Sequence, residues 1–90
     1  MNATTANRLA IREDMTIYQA QTQKEQLLAA LAATEDLELD LSGVGEMDTA
    51  GLQLLLLLKR EVLQQGKQLK IISHSPSVQH LFDFCNLVGV

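Results

Sequence analysis

Residues 37–41, Leu-Glu-Leu-Asp-Leu, alternate apolar and acidic side chains, and this pattern constrains the fold more than any other stretch. A period of two is that of an extended strand, whose successive side chains point to opposite faces. A strand covered on both faces reads apolar throughout. Here one face is leucine and the other acidic, so helices should cover one side of the sheet only. After a loop at 42–48 the period changes. Thr49 to about Gln65 reads as a long helix, and Gly66 is placed just past its end. A strand feeding a helix in this way points to an α/β chain.

The leucines of that helix sort by angle. At 100° per residue, Leu54, Leu55, Leu58 and Val62 share one face with Gly51 above them, and this is the expected core face. Leu52, Leu56 and Leu63 fall on a neighbouring stripe interrupted by Lys59, and Leu57 lies nearer the opposite side. One face on a sheet cannot bury them all. Packing against flanking helices would absorb the surplus. Alternatively Leu52, Leu56 and Leu57 belong to a patch covered by a partner helix or a second copy, which leaves a homodimer open.

The remaining elements follow from local signals. Residues 1–6 are small and polar and read as a flexible end. Leu9 and Ile11 alternate with Ala10 and Arg12 as a first strand. Glu13-Asp14 is a turn, and Met15, Ile17 and Tyr18 suggest a second strand returning antiparallel. Thr22 and Glu25 have capping-box spacing ahead of Leu27, Leu28 and Leu31, predicting a helix over 23–33. Leu69–Ile72 is a strand. Ser75-Pro76 opens a last helix carrying Val78, Leu81, Phe82 and Cys85 on one face, and Leu87-Val88 should pack back on the core. The expected order is β-β-α-β-α-β-α in one domain, 1–90, with a core over about 8–88. Its crossovers should be right-handed, with their helices on one side.

Composition removes several functions. A 90-residue chain forms one core, burying roughly 60–65% of its unfolded surface. A net charge of −4 without a basic patch argues against nucleic acid. No charged segment followed by an apolar one marks a signal peptide. The longest apolar run, Leu54–Leu58, is far below the roughly 20 residues of a membrane span. A single cysteine, Cys85, forms no internal disulfide, so a soluble cytoplasmic domain is expected. His74, His80 and Cys85 lack metal-ligand spacing. Gly43-Val44-Gly45 hints at a dinucleotide loop, but Asp48 stands where the third glycine belongs. No nucleophile has a neighbouring base in sequence. No metal, cofactor or catalysis is expected.

The chemistry-bearing stretch is 46–52, Glu-Met-Asp-Thr-Ala-Gly-Leu, where a strand gives way to a helix. Asp48 suits the N-cap, and Thr49 presents a hydroxyl at the positive end of the helix dipole. Ala50 and Gly51 are small enough for another surface to approach closely.

Residues 47–52, Met-Asp-Thr-Ala-Gly-Leu, resemble the Asp-Ser/Thr-Ser/Ala-Gly-Leu signature of the STAS domain, named for sulfate transporters and anti-sigma-factor antagonists. The alternating strand ahead of it and the Ser75-Pro76-Ser77-Val78 helix start are similar too, so the resemblance covers about residues 8–88. It implies an α/β fold with a four- or five-stranded mixed sheet and helices mainly on one face. It also implies a non-catalytic, cytoplasmic protein-binding module. In members similar to the anti-sigma-factor antagonists, the signature helix start docks onto a serine kinase, and phosphorylation there breaks the complex. The phosphorylated serine commonly precedes the glycine; here that residue is Ala50, and Thr49 is the candidate phosphorylation site. The same signature form resembles the STAS subunit of phospholipid-transport ABC complexes, which binds the ATPase. STAS proteins of chemotaxis and other signalling clusters are a third similar group. The residues expected to meet a partner are Glu46, Asp48, Thr49, Ala50, Gly51, Leu52 and Leu56.

Overall fold

The computed structural model describes residues 3–5 and 7–84. Its elements are β1 (Ala3–Thr5), β2 (Arg8–Ala10), α1 (Ala20–Ala32), β3 (Asp36–Leu41), α2 (Thr49–Gln65), β4 (Gln68–His74) and α3 (Pro76–Phe84). They form one four-stranded mixed sheet ordered β1-β2-β3-β4. β1 and β2 are antiparallel, while β2, β3 and β4 are parallel. Parallel neighbours need a crossover, and α1 and α2 supply the two.

The alternation of β3 is realised as expected. Leu37, Leu39 and Leu41 are buried, whereas Glu38 and Asp40 face the open side and are only half-buried. One core unites those leucines with Leu27 and Leu31 of α1, Leu54, Leu55, Leu58 and Val62 of α2, and Val78 and Phe82 of α3. All three helices therefore serve the same face. The open face carries a cross-strand charge set, with Arg8 beside Glu38 and Glu38 beside Lys70 in register. The Arg8–Glu38 pair at 3.2 Å is exposed and contributes little.

Helix ends follow their local chemistry, with one exception. Gly66 closes α2 at φ 68°, a left-handed position that glycine occupies without strain. Ser75 Oγ accepts the Val78 N–H at the start of α3, with Pro76 in its first turn. The exception is α1, which starts at Ala20 rather than at 23. Thr22 and Glu25 are exposed inside it and cap nothing. Gln23, one turn in, is buried and donates to the Asp14 carbonyl at 2.8 Å, so tertiary bonding fixes the start of this helix.

A second correction concerns 15–18. These residues form no antiparallel strand, and the hairpin partner of β2 is β1, from a segment whose small polar composition gave no strand signal. Met15 makes an isolated parallel bridge with Met47 and is fully buried. The chain then turns at Thr16, whose hydroxyl accepts the Tyr18 N–H at 3.3 Å and whose carbonyl accepts the Gln19 N–H at 3.0 Å. β4 extends past the expected strand at both ends and carries a register shift against β3 that leaves Ile72 as the extra residue. The expected positions of Cys85 and Leu87-Val88 lie outside the described residues.

Candidate docking site

Two segments distant in sequence meet where β3 gives way to α2. Residues 14–18 run beside 45–48, joined by Met15 N–H to the Glu46 carbonyl at 2.8 Å and Asp48 N–H to the Met15 carbonyl at 3.2 Å. Asp14 adds a side-chain tie, its Oδ1 accepting the Glu46 N–H at 3.0 Å. Gly51 lies directly underneath. A Cβ built there would fall 2.3 Å from the Met15 carbonyl oxygen, so only glycine permits this approach.

Asp48 is the hinge of the arrangement. Its Oδ1 accepts the N–H groups of Ala50 at 2.9 Å and Gly51 at 3.2 Å, which is the expected N-cap. Its Oδ2 accepts the Ile17 N–H at 3.1 Å, across 31 residues of sequence. One carboxylate thus caps α2 and pins the 16–18 turn to its start. Partial desolvation pushes this carboxyl up, but the bonds from Ile17, Gly51 and Ala50 outweigh it, and its pKa lies below the ordinary 3.8. A lowered folded-state pKa means that the charged form contributes stability above the unfolded value, and that this is lost as pH falls through the folded one. Wild type should therefore melt above Asp48→Asn at neutral pH. The gap should narrow as the pH drops below about 4, as read by thermal melts across an acid series. A gap constant with pH would remove the ionic part of the cap.

The expected contact residues divide into two layers. Glu46 and Thr49 are exposed, Asp48 and Ala50 are half-buried, and Leu56 is 40% exposed on the outer side of α2. Gly51 and Leu52 are buried beneath them. Leu57 does not face away from the core; it is partly buried and packs against it. Two surface residues were missed. Ile17 is 69% exposed and Tyr18 90% exposed, held beside the start of α2 by the Asp48 bond. A signal was present: neighbours in a strand point to opposite faces, so Ile17 and Tyr18 could not both have entered the core. Ile17, Lys24, Ala50, Gln53 and Leu57 help to line a shallow groove of ≈ 350 Å³ between α1 and α2.

Among the described residues no three His, Cys, Asp or Glu side chains gather as a metal site, and no helix is long and apolar enough to cross a membrane. The arrangement offers hydrogen-bonding groups and apolar area at a protein surface.

Comparison with known proteins agrees with this architecture. The profile of the family described as "Mlab, STAS domain" matches residues 2–90, and the chain belongs to that STAS family. A Thermotoga maritima protein assigned as an anti-sigma-factor antagonist superposes with a TM-score of 0.79 at 15% identity, covering 97% of this chain and 78% of the other. The anti-sigma-factor antagonist SpoIIAA in its unphosphorylated form gives 0.74 at 18% identity, covering 97% and 80%. The phosphorylated form of the Bacillus cell-fate determinant SpoIIAA gives 0.72 at 15% identity, covering 97% and 83%. At these identities the likeness establishes a shared fold. No curated protein sequence matches the chain.

Proposed function

We propose that this chain is a non-catalytic regulatory module of the cytoplasm. It docks a protein partner through the 46–52 loop and the first turns of α2. The observation that carries this reading is the exposed pair Ile17 and Tyr18, fixed by Asp48 beside exposed Thr49. Large side chains displayed on a backbone that is already pinned leave less chain to order on binding, and tyrosine is enriched among residues that dominate interfaces. Thr49 supplies a hydroxyl at the rim, and half-buried Ala50 lets a partner come close.

A regulatory step fits the same point. Phosphate on Thr49 would add about −1.5 to −2 charges beside Glu46 and Asp48, repelling an acidic partner surface. Ala50 has no hydroxyl, so phosphate found near the signature by mass spectrometry should map to Thr49. The decisive test is Thr49→Glu. It should strongly weaken capture of the native partner, identified by affinity purification, while the melting temperature stays at the wild-type value. Unchanged capture would take Thr49 out of the interface.

The second reading, an accessory subunit gripping the ATPase of a phospholipid-transport ABC complex, is favoured by Ala50. A constitutive grip needs no modifiable hydroxyl there. Neighbouring permease and ATPase genes would support it, whereas a neighbouring kinase gene would support signalling.

A further inference from the structure

We propose that the surface between α1 and α2 seats an amphipathic helix of the partner whose apolar stripe is flanked by carboxylates. This rests on the docking reading above and names the chemistry of what docks. The ≈ 350 Å³ groove continues through Gln53 and Leu57 into a second hollow of ≈ 240 Å³, walled by Leu56 and Arg60. Together they follow α2 from Ala50 to Arg60, about 15 Å at 1.5 Å per residue, which matches roughly three turns of a partner helix.

Charge selects among helices. The charged residues lining the two hollows are both cations, Lys24 on α1 and Arg60 on α2, in a chain whose net charge is −4. Among the described residues neither Lys24 nor Arg60 forms an ion pair. The neighbouring carboxylates are placed otherwise. Glu61 accepts a hydrogen bond from Gln65 at 3.2 Å, and Glu25 is exposed on α1, turned about 100° from Lys24. Two cations bordering an apolar floor complement acidic side chains bordering an apolar stripe.

Backbone chemistry selects a helix over a strand. Apart from Ile17, whose N–H is already bonded to Asp48, the lining is helical and presents no row of free N–H and C=O groups, so an extended segment would lie there with its own backbone unpaired. A helix arrives with those bonds already made. A second copy presenting the same face would set cation against cation.

The test uses two synthetic helical peptides of about 14 residues with one leucine stripe, flanked by Glu in the first and by Lys in the second. Each is titrated into the full chain while amide shifts are followed by NMR. The Glu peptide should bind about tenfold more tightly at low salt and shift amides along 20–24 and 50–60. Its advantage should shrink at about 0.5 M salt. The double variant Lys24→Glu/Arg60→Glu should reverse the preference. Equal affinities, shifts confined elsewhere, or an unreversed preference would overturn the proposal.

Capture of the native partner separates this failure from that of the docking reading. Suppose Ala50→Arg abolishes capture at an unchanged melting temperature, while Lys24→Glu/Arg60→Glu captures like wild type. Docking then stands and the acidic helix falls. If Ala50→Arg captures like wild type, the docking reading itself falls.

Discussion

Replacing Gly51 with alanine is expected to destabilise the protein by about 1–3 kcal/mol, against the sign that helix propensity alone would give. At an ordinary interior helical position the same change gains roughly 0.5–1 kcal/mol, because glycine loses the most chain freedom on folding. Gly51 is different because of what lies against it. A methyl group there would meet the Met15 carbonyl oxygen at 2.3 Å, Met15 Cβ at 2.9 Å and Met47 Cγ at 3.0 Å. The carbonyl cannot retreat freely, since it accepts the Asp48 N–H that locks the two segments together. Relief therefore means opening the Met15–Met47 bridge and disturbing the turn that displays Ile17 and Tyr18. Urea unfolding should show a lower midpoint with an unchanged slope, and the partner should bind less well. Gly66→Ala is the informative control. No atom lies within 4 Å of a Cβ there, so its cost is the left-handed backbone alone, about 1–2 kcal/mol, with partner binding unaffected. A stabilised Gly51→Ala would show that α2 and the 15–18 segment are not in contact in solution.

Gly51 also marks where reading from sequence succeeds and where it stops. The signal that a surface comes close at residue 51 is local, because a glycine inside an otherwise leucine-rich helix demands a reason. The identity of that surface is not local. The sequence suggests a partner, whereas the chain's own Met15 fills the space. The same division runs through the fold. β3, α2 and the start of α3 were legible because alternation, leucine spacing, Asp48, Gly66 and Ser75-Pro76 are all local devices. The 15–18 turn was not legible, since Met15 is tied to Glu46 and Asp48, and Ile17 to Asp48 across 31 residues. Two alternating residues cannot outweigh such long-range bonds, and that is also why α1 begins a turn earlier than Thr22 and Glu25 suggest. In the site, Asp48 as cap and Thr49 as surface hydroxyl were accessible to local reasoning. Alternation alone shows that Ile17 and Tyr18 cannot both be buried, but where they sit is not local, because it depends on the second oxygen of the same aspartate.

The leucine run offers the second large effect, with adjacent residues predicted to behave in opposite ways. Leu55 is 0% exposed at the centre of the core, whereas Leu56 is 40% exposed on the outer side of α2. Leu55→Ala removes buried methyl groups and leaves a cavity in the core, which should cost about 2–5 kcal/mol. That is a large share of the ~5–15 kcal/mol that holds a domain of this kind together. Leu56→Ala leaves no such cavity and should change stability by no more than about 0.5 kcal/mol. Its effect should appear instead in partner affinity, because the side chain walls the hollow beside Arg60. Urea midpoints and partner capture, measured for both variants, separate the two roles. Loss of stability without loss of affinity at Leu56 would mean that its outer face is structural. The apolar wall would then shift to Leu57, which has one side on the core and the other lining both hollows.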